Sequence, residues 1–314
     1  MGFVFMQPKS RAPVKVKKNE ESQAVLDRLN AYIEDEIEEP IRFLETFWND
    51  QILVITYKEL RMIATEEAFP ENIMEAWRQD YANLIKNNFF DVWLRAASAG
   101  MQSNPALRGI EVDARPLIES WIKDRSAELV TRMTVQQVSA IRYILDEAFN
   151  NRMGADETAR YIRPIIGLNE QQTAANLRFY NHTKEVLAEE HPRMKPETIE
   201  RKAREKAARY ASKQHRYRAK IIAQYELASA YHQGNDEAVR ECISAGTLPK
   251  MEKVVSTSLD GKVCPACRAL EGAVVSMDGE FEFRSGRRVL RFSLPPFHPN
   301  CGCAVKYVEV EEAT

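Results

Sequence analysis

Hydrophobic residues recur at helical spacing along most of this chain. From residue 21 to about residue 100, apolar side chains follow i, i+3/i+4 steps, which predicts an N-terminal helical region with its aromatic residues in the core. The same period returns over residues 116–246 and includes a long basic helix predicted for residues 197–232. Between these regions, residues 100–115 are rich in turn-forming residues and mark a boundary. The pattern therefore predicts a long helical body.

Capping signals divide the second region into helices. Thr134 and Gln137 have the spacing of a capping box that opens a helix, and Asn169 with Gln172 repeats that spacing. Gly234 is predicted to end the long helix, so that a short separate helix carries Cys242 up to Gly246.

Beyond Lys250 the hydrophobic period becomes two, which is typical of strands. Phe281 and Phe283 alternate with charged residues before the turn at residues 285–286. The apolar residues Val289 and Phe292 follow in the segment after the turn, which predicts a β-hairpin. Residues 250–310 thus form a small β-rich module, too small to rely on an apolar core alone. The predicted fold class is α+β and mainly α: a helical body followed by this C-terminal module with a Cys/His metal clasp.

Charge is balanced over the whole chain and concentrated locally. The chain has 44 Lys+Arg against 46 Asp+Glu, which argues against a nucleic-acid binder that acts through its overall charge. Residues 1–20 read as a flexible basic arm, either a solvated tail or a segment that docks on an acidic partner or on nucleic acid. Residues 193–220 hold eleven Lys/Arg and three Glu, a local net charge of +8, which fits either a solvated face or an acidic partner. No apolar run is long enough to span a membrane, so no membrane partner is predicted.

Four of the five cysteines and one histidine form a metal-binding pattern in the small module. Cys264 and Cys267 have the Cys-x₂-Cys spacing that lets two thiolates bind one ion, and His298, Cys301 and Cys303 follow as a second group. These five residues predict a structural Zn²⁺, with His298 and Cys301 favoured in the second group and Cys303 as the substitute. Reduced thiols in a small core, or disulfides formed after lysis, are the alternatives. Because these cysteines have the spacing of metal ligands and not of a disulfide framework, they also favour a reducing compartment.

Catalytic motifs fit the sequence less well than a structural metal. A zinc nucleobase deaminase needs His-x-Glu upstream of Pro-Cys-x-x-Cys, but Val263 precedes Cys264 and Gln233-Gly234 follows His232. A cysteine-dependent hydrolase would need a thiol beside an imidazole, and the crowding of thiols around His298 favours metal binding instead. We therefore predict that the protein is not an enzyme, and keep the hydrolase as an alternative.

The module resembles a known family, the phage head morphogenesis proteins or Mu protein F-like minor head proteins. The resemblance rests on Thr257 and Asp260 ahead of the first cysteine pair, on Leu270-Glu271-Gly272, and on the run from Pro295 to Cys303. Upstream, Arg218–Glu226 and the segment from Gly154 to Gly167 also look like the family, so the resemblance covers about 116–310. The sequence departs from the family in having Val255 for a tryptophan, Tyr225 for a threonine and Gly302 for an arginine.

The resemblance implies a low-copy structural protein of a tailed phage. Such a protein acts in head morphogenesis at or near the portal vertex, is assembled in the host bacterial cytoplasm and ends in the virion. Its expected partners are the portal protein, the major capsid protein or the scaffold protein. Packaged DNA could meet the basic helix segment Arg193–Lys220. The alternative function is a nucleic-acid-binding zinc module that takes part in DNA packaging or ejection.

Overall fold

The computed structural model describes residues 20–54, 56–65, 70–257 and 263–310. The predicted basic arm lies outside these residues except for Glu20, and Asp260 lies outside them as well. The helices are α1 Glu20–Glu36, α2 Glu38–Val54, α3 Tyr57–Thr65, α4 Glu71–Leu84, α5 Phe90–Ser103, α6 Ala114–Asn150, α7 Ala155–Ile165, α8 Glu170–Glu190, α9 Pro196–Ser244 and α10 Pro265–Arg268. The strands are β1 Met251–Ser256, β2 Val274–Ser276, β3 Phe281–Ser285, β4 Arg288–Phe292 and β5 Ala304–Glu309. The fold class is the predicted one: a helical body followed by a small strand module that contains the Cys/His cluster.

Contacts along the chain group into two compact units. One, here called the clasp unit, contains the described residues up to Ile37, Asp91–Ile122 and those from Ile221 onward. The other, the helical unit, contains Glu38–Phe90 and Lys123–Lys220. The predicted domain limits, 21–100, 116–246 and 250–310, stay predictions. None of the helices in the described part of the chain combines the length and the apolar character that a membrane-spanning helix requires.

The core of the helical unit is built on the apolar faces of α3, α4 and α6–α9. Its fully buried side chains include Leu60, Ile141 and Ile162, and the rings of Tyr161 and Tyr180 meet edge to face with centroids 4.5 Å apart. The predicted capping box at Asn169 is confirmed, because the Asn169 side chain accepts from the Gln172 backbone and the Gln172 side chain accepts in return.

The capping box predicted at Thr134 is wrong, because α6 runs unbroken through this position. The Thr134 hydroxyl instead donates to the Val130 carbonyl one turn earlier. Gln137 is buried, and its side-chain oxygen accepts from the Tyr81 hydroxyl at 2.6 Å and from the Gly167 amide at 3.1 Å. The polar spacing that resembled a cap therefore serves a buried hydrogen-bond cluster.

The long helix also differs from its prediction: α9 does not end near residue 232 but continues through Gly234 to Ser244. In the clasp unit Gly234 lies against Ala97 of α5, and a Cβ on residue 234 would stand 2.5 Å from the Ala97 Cα. Gly100 is packed in the same way, since its Cβ would stand 2.0 Å from the Tyr231 carbonyl oxygen. These contacts explain why positions 100 and 234 are glycine, although a glycine inside a helix lowers the stability of that helix by about 1 kcal/mol relative to alanine. Cys242 consequently lies on α9 and not on a separate helix.

The strands of the clasp unit form a three-stranded antiparallel sheet, with the order β2-β1-β5, and a separate hairpin. The predicted hairpin is confirmed: β3 pairs with β4, with Phe281 opposite Phe292 and Phe283 opposite Leu290. Helix α1 packs against β1 and β5. Cys264 caps α10 and Cys267 lies within it, whereas Cys301 and Cys303 lie in the loop that leads into β5.

Candidate metal centre

The first pair of thiols is presented by a single helical turn. Cys264 is the N-cap of α10, with Pro265 at the first helical position, where a missing N–H costs nothing. The Cys267 amide donates to the Cys264 sulfur at 3.3 Å, and the Arg268 amide donates to the Cys264 carbonyl at 3.0 Å. These bonds hold Cys264 and Cys267 in the tight turn that their spacing predicted.

The second group of donors follows Phe297 in a turn that the Cys301 amide closes by donating to the His298 carbonyl at 3.0 Å. Asn300 in this turn has φ 61°, the left-handed region that asparagine enters more readily than most residues. The His298 Nδ1–H donates to the Pro299 carbonyl at 2.7 Å. A hydrogen bond of this kind fixes the ring and leaves Nε2 available as a metal ligand.

The structure brings all five predicted ligand residues together. The His298 Nε2 lies 3.3 Å from the Cys264 sulfur and 3.1 Å from the Cys267 sulfur, and the Cys267 and Cys301 sulfurs are 3.8 Å apart. Two overlapping triads can hold a metal ion, Cys264/Cys267/His298 and Cys267/Cys301/Cys303, with the donor atoms of each triad within 4.8 Å of one another. Cys267 belongs to both triads, so the five donors form one cluster.

These distances can be compared with those of a tetrahedral zinc site. With Zn–S of about 2.3 Å and Zn–N of about 2.0–2.1 Å, two sulfurs lie about 3.8 Å apart, and a sulfur and a nitrogen about 3.6 Å. The 3.8 Å between Cys267 and Cys301 matches the first value, while the two sulfur–nitrogen distances are a few tenths of an ångström shorter. The donors present therefore fit a Zn²⁺ ion. Which four of them bind it stays a prediction.

The electrostatics of the cluster favour two thiolates, Cys264 and Cys301, beside a cationic ring. Hydrogen bonds with Cys264 and Cys301 raise the pKa of Cys267. Although the hydrogen bond with Cys267 lowers the pKa of Cys303, the hydrogen bond with Cys301 and burial raise it overall. Hydrogen bonds from Cys267 and His298 lower the pKa of Cys264 to about 4, and hydrogen bonds with Cys267 and Cys303 hold the pKa of Cys301 well below its usual value. Burial alone would lower the pKa of His298, but the hydrogen bond to Cys264 and the charge of Cys301 raise it to about 9. A bound cation would take the place of the imidazolium proton as the partner of these thiolates.

Aromatic side chains enclose the cluster. Phe281, Phe283 and Phe292 of the hairpin surround the buried Phe297, with ring centroids 5.7–6.1 Å from it, and Phe283 lies 5.6 Å from the His298 ring. Cys267, Cys301 and Cys303 are themselves buried. A donor set made only of protein side chains leaves no open position for an activated water, which is the arrangement of a structural zinc site. Bound there, Zn²⁺ would cross-link the turn at 264–267 to the turn at 298–303.

Two cavities of about 510 and 590 Å³ lie elsewhere, since both are lined by residues of the helical unit. The first is lined mainly by apolar side chains and by Tyr161 and Tyr180, and the second by residues of α2 and α4 and of the segment that follows α4. None of the five Cys/His residues lines either cavity.

Sequence reasoning missed the residues of α9 that hold the clasp. His232 is buried and donates from Nε2 to the Cys303 carbonyl at 3.3 Å, and burial lowers the pKa of His232 to about 4. One turn later, Asp236 accepts from the Tyr307 hydroxyl of β5 at 3.0 Å and from Arg240 at 2.6 Å. The i, i+4, i+8 spacing of these three polar residues was a visible signal, because it places them on one helix face.

A second missed residue is Lys253 on β1. Its side chain is completely buried, and its Nζ donates to the Ser293 carbonyl at 3.0 Å. This bond ties the central strand of the sheet to the chain just beyond the hairpin. A buried lysine in an alternating strand pattern has no sequence signature, so only the structure could find it.

The fold and site together define a helical protein that ends in a Cys/His-clasped β module. A family model described as Phage Mu protein F like protein matches residues 165–306, the range that holds α8, α9 and the whole cluster. This match confirms the predicted resemblance to the phage head morphogenesis, Mu protein F-like family over residues 165–306. No curated protein and no solved structure matches the chain.

Proposed function

We propose that this chain is a minor structural protein of a tailed-phage head that acts at or near the portal vertex during assembly. The observation that carries the proposal is the family match over residues 165–306, which includes both the basic part of α9 and the Cys/His cluster. The chain's role is to bind other head proteins, and the clasp keeps its C-terminal module folded. No catalytic step is part of the proposal.

The surface proposed for docking is a basic stripe on α9. Successive residues of an α-helix are about 100° apart, so Lys206, Arg209, Lys213 and Lys220 fall within one narrow stripe, with the half-buried Lys202 at its start. From Lys202 to Lys220 the stripe is about 27 Å long.

Other cations of residues 193–220 contact side chains within the helical unit. Arg216 pairs with Glu38 and Glu45 of α2, and Arg218 is buried with its side chain over the Trp48 ring. The local charge of +8 therefore overstates the free charge, and the stripe is the part available to an acidic protein surface.

Copurification with portal complexes or procapsids tests the proposal. The test variant reverses the four exposed cations of the stripe to glutamate, and a matched control reverses four exposed cations elsewhere in the helical unit, namely Arg42, Lys58, Lys86 and Arg142. We expect the stripe variant to be lost from procapsids while the control is retained. Equal incorporation of both variants would contradict the docking proposal.

A nucleic-acid role of the same stripe is the second candidate, because tyrosines interleave with its cations. Tyr217 is 57% exposed, and Tyr210 lies against Phe179 with ring centroids 4.8 Å apart. Aromatic faces beside a row of cations are typical of surfaces that bind single-stranded nucleic acid. A salt-dependent affinity for single-stranded DNA that the stripe variant loses would favour this candidate.

A further inference from the structure

We propose that the hairpin formed by β3 and β4, residues 281–292 and here called the arginine hairpin, is a second binding surface, and that it fits the major groove of duplex DNA. The hairpin belongs to the clasp unit and shares no residue with the basic stripe. The inference does not depend on a role at the portal vertex.

The register of the hairpin separates an anchored face from a free face. Phe281, Phe283, Leu290 and Phe292 point to one side, and the three phenylalanines pack around Phe297 in the core of the clasp unit. Strand alternation places Glu282, Arg284, Val289 and Arg291 on the opposite side. The base of the hairpin is therefore held by buried rings while its outer face meets solvent.

The free face and the tip are cationic. Residues 281–292 contain four arginines and one glutamate, a net charge of +3. The side chains of Arg284 and Arg291 are 73% and 65% exposed, and both contact Glu282, at 3.3 Å and 3.2 Å. Arg287 and Arg288 are exposed at the turn. Glu282 thus orients two guanidinium groups and offsets part of their charge, while the tip carries two further cations.

The chemistry of this surface favours nucleic acid over an acidic protein. Val289, 47% exposed, is the one large apolar side chain on the outer face, whereas the buried core of a protein interface is mostly apolar, although arginine is enriched there too. Arginine forks match phosphate oxygens and the acceptor edge of guanine. A two-stranded ribbon, with strands about 4.8 Å apart, fits a major groove that is about 12 Å wide.

Fluorescence anisotropy with a short labelled duplex, and the full-length protein at several salt concentrations, tests the proposal. The variant R287E/R288E removes the cations of the tip. We expect it to bind the duplex roughly ten-fold more weakly and to reduce the slope of log Kd against log salt by about 2, since each lost phosphate contact changes the slope by about 0.9. The matched control R108E/K250E makes the same charge change at exposed positions of the clasp unit and should bind like the wild type.

A second variant tests the same surface by gain of function. E282Q removes the internal carboxylate that Arg284 and Arg291 contact, so it should bind the duplex more tightly than the wild type and with a steeper salt dependence. Because Glu282 is on the outer face, this change leaves the packed rings intact, and an unchanged thermal melt confirms the fold.

Three results would overturn the proposal: no binding by the wild type, equal weakening by R108E/K250E, or no gain with E282Q. A hairpin variant that keeps duplex binding but loses poly-glutamate binding would show that the partner is an acidic protein instead. The stripe variant separates this inference from the proposed function, because it should lose procapsids while keeping the hairpin's contribution to duplex binding.

Discussion

His215 of α9 should make the stability of the helical unit sensitive to acid. The ring is 6% exposed, donates from Nε2 to the Ile166 carbonyl at 2.8 Å and lies 5.7 Å from the Trp48 ring. Its pKa is lowered to about 4, because burial outweighs the hydrogen bond to Ile166, which raises the pKa, and the nearby charge of Arg218 adds a smaller lowering effect. In the unfolded chain the pKa of a histidine is about 6.5.

The size and sign of the effect follow from proton linkage. Below pH 6.5 the unfolded chain binds a proton at this position that the folded chain does not, so the free energy of unfolding falls as the pH drops from 6.5 towards 4. With these two pKa values, the change from pH 7 to pH 5 costs about 2 kcal/mol. Above pH 7 the contribution of His215 is constant.

Urea unfolding of the full-length protein at pH 7 and pH 5, at constant ionic strength, measures this loss. His215→Gln keeps an amide donor for the Ile166 carbonyl but cannot titrate, so the variant should lose about 2 kcal/mol less stability between the two pH values than the wild type does. Comparing the two proteins cancels the titration of carboxylates and of the Cys/His cluster. Equal losses in the two proteins would refute the reasoning, because His215 would then titrate alike in the folded and unfolded chains.

Two further predictions concern packing and buried hydrogen bonds. Gly100→Ala places a methyl group against the Tyr231 carbonyl and should lower the free energy of unfolding by about 1–3 kcal/mol, measured by thermal melting. Gly154→Ala, where a Cβ meets no atom within 4 Å, is its control and should melt within a few degrees of the wild type. Gln137→Leu removes the acceptor of the buried Tyr81 hydroxyl and should cost about 1–3 kcal/mol in urea unfolding, and a neutral result would show that this hydroxyl finds another partner.

The parts of the structure that the sequence could predict are those set by short-range pattern. The Cys264/Cys267 spacing, the hairpin turn and the capping box at Asn169 each depend on residues within a few positions. The structure contains the first and the last of these as predicted, and the turn lies at residues 286–287, one position beyond the predicted 285–286. Helical periodicity likewise predicted the long body. The pattern of residues along the sequence does not predict long-range contacts.

Each wrong prediction involves a contact with a residue that is distant in sequence. Thr134 and Gln137 looked like a cap because the motif is local, whereas the partner of Gln137 is the hydroxyl of Tyr81. Gly234 looked like a helix end because the approach of Ala97 is invisible from position 234. In the site, His232 contacts Cys303 across 71 positions, so no spacing rule could connect them.

The metal content of the full-length protein, purified without added zinc, tests the central claim most directly. We expect a single zinc ion per chain that is lost, together with thermal stability, on chelation or in Cys264→Ser. Cys242→Ser, which changes a cysteine on α9 outside the cluster, should retain the metal. A wild-type protein that contains no metal and keeps its full thermal stability in chelator would contradict the claim that Cys264, Cys267 and the residues from His298 to Cys303 form a structural clasp.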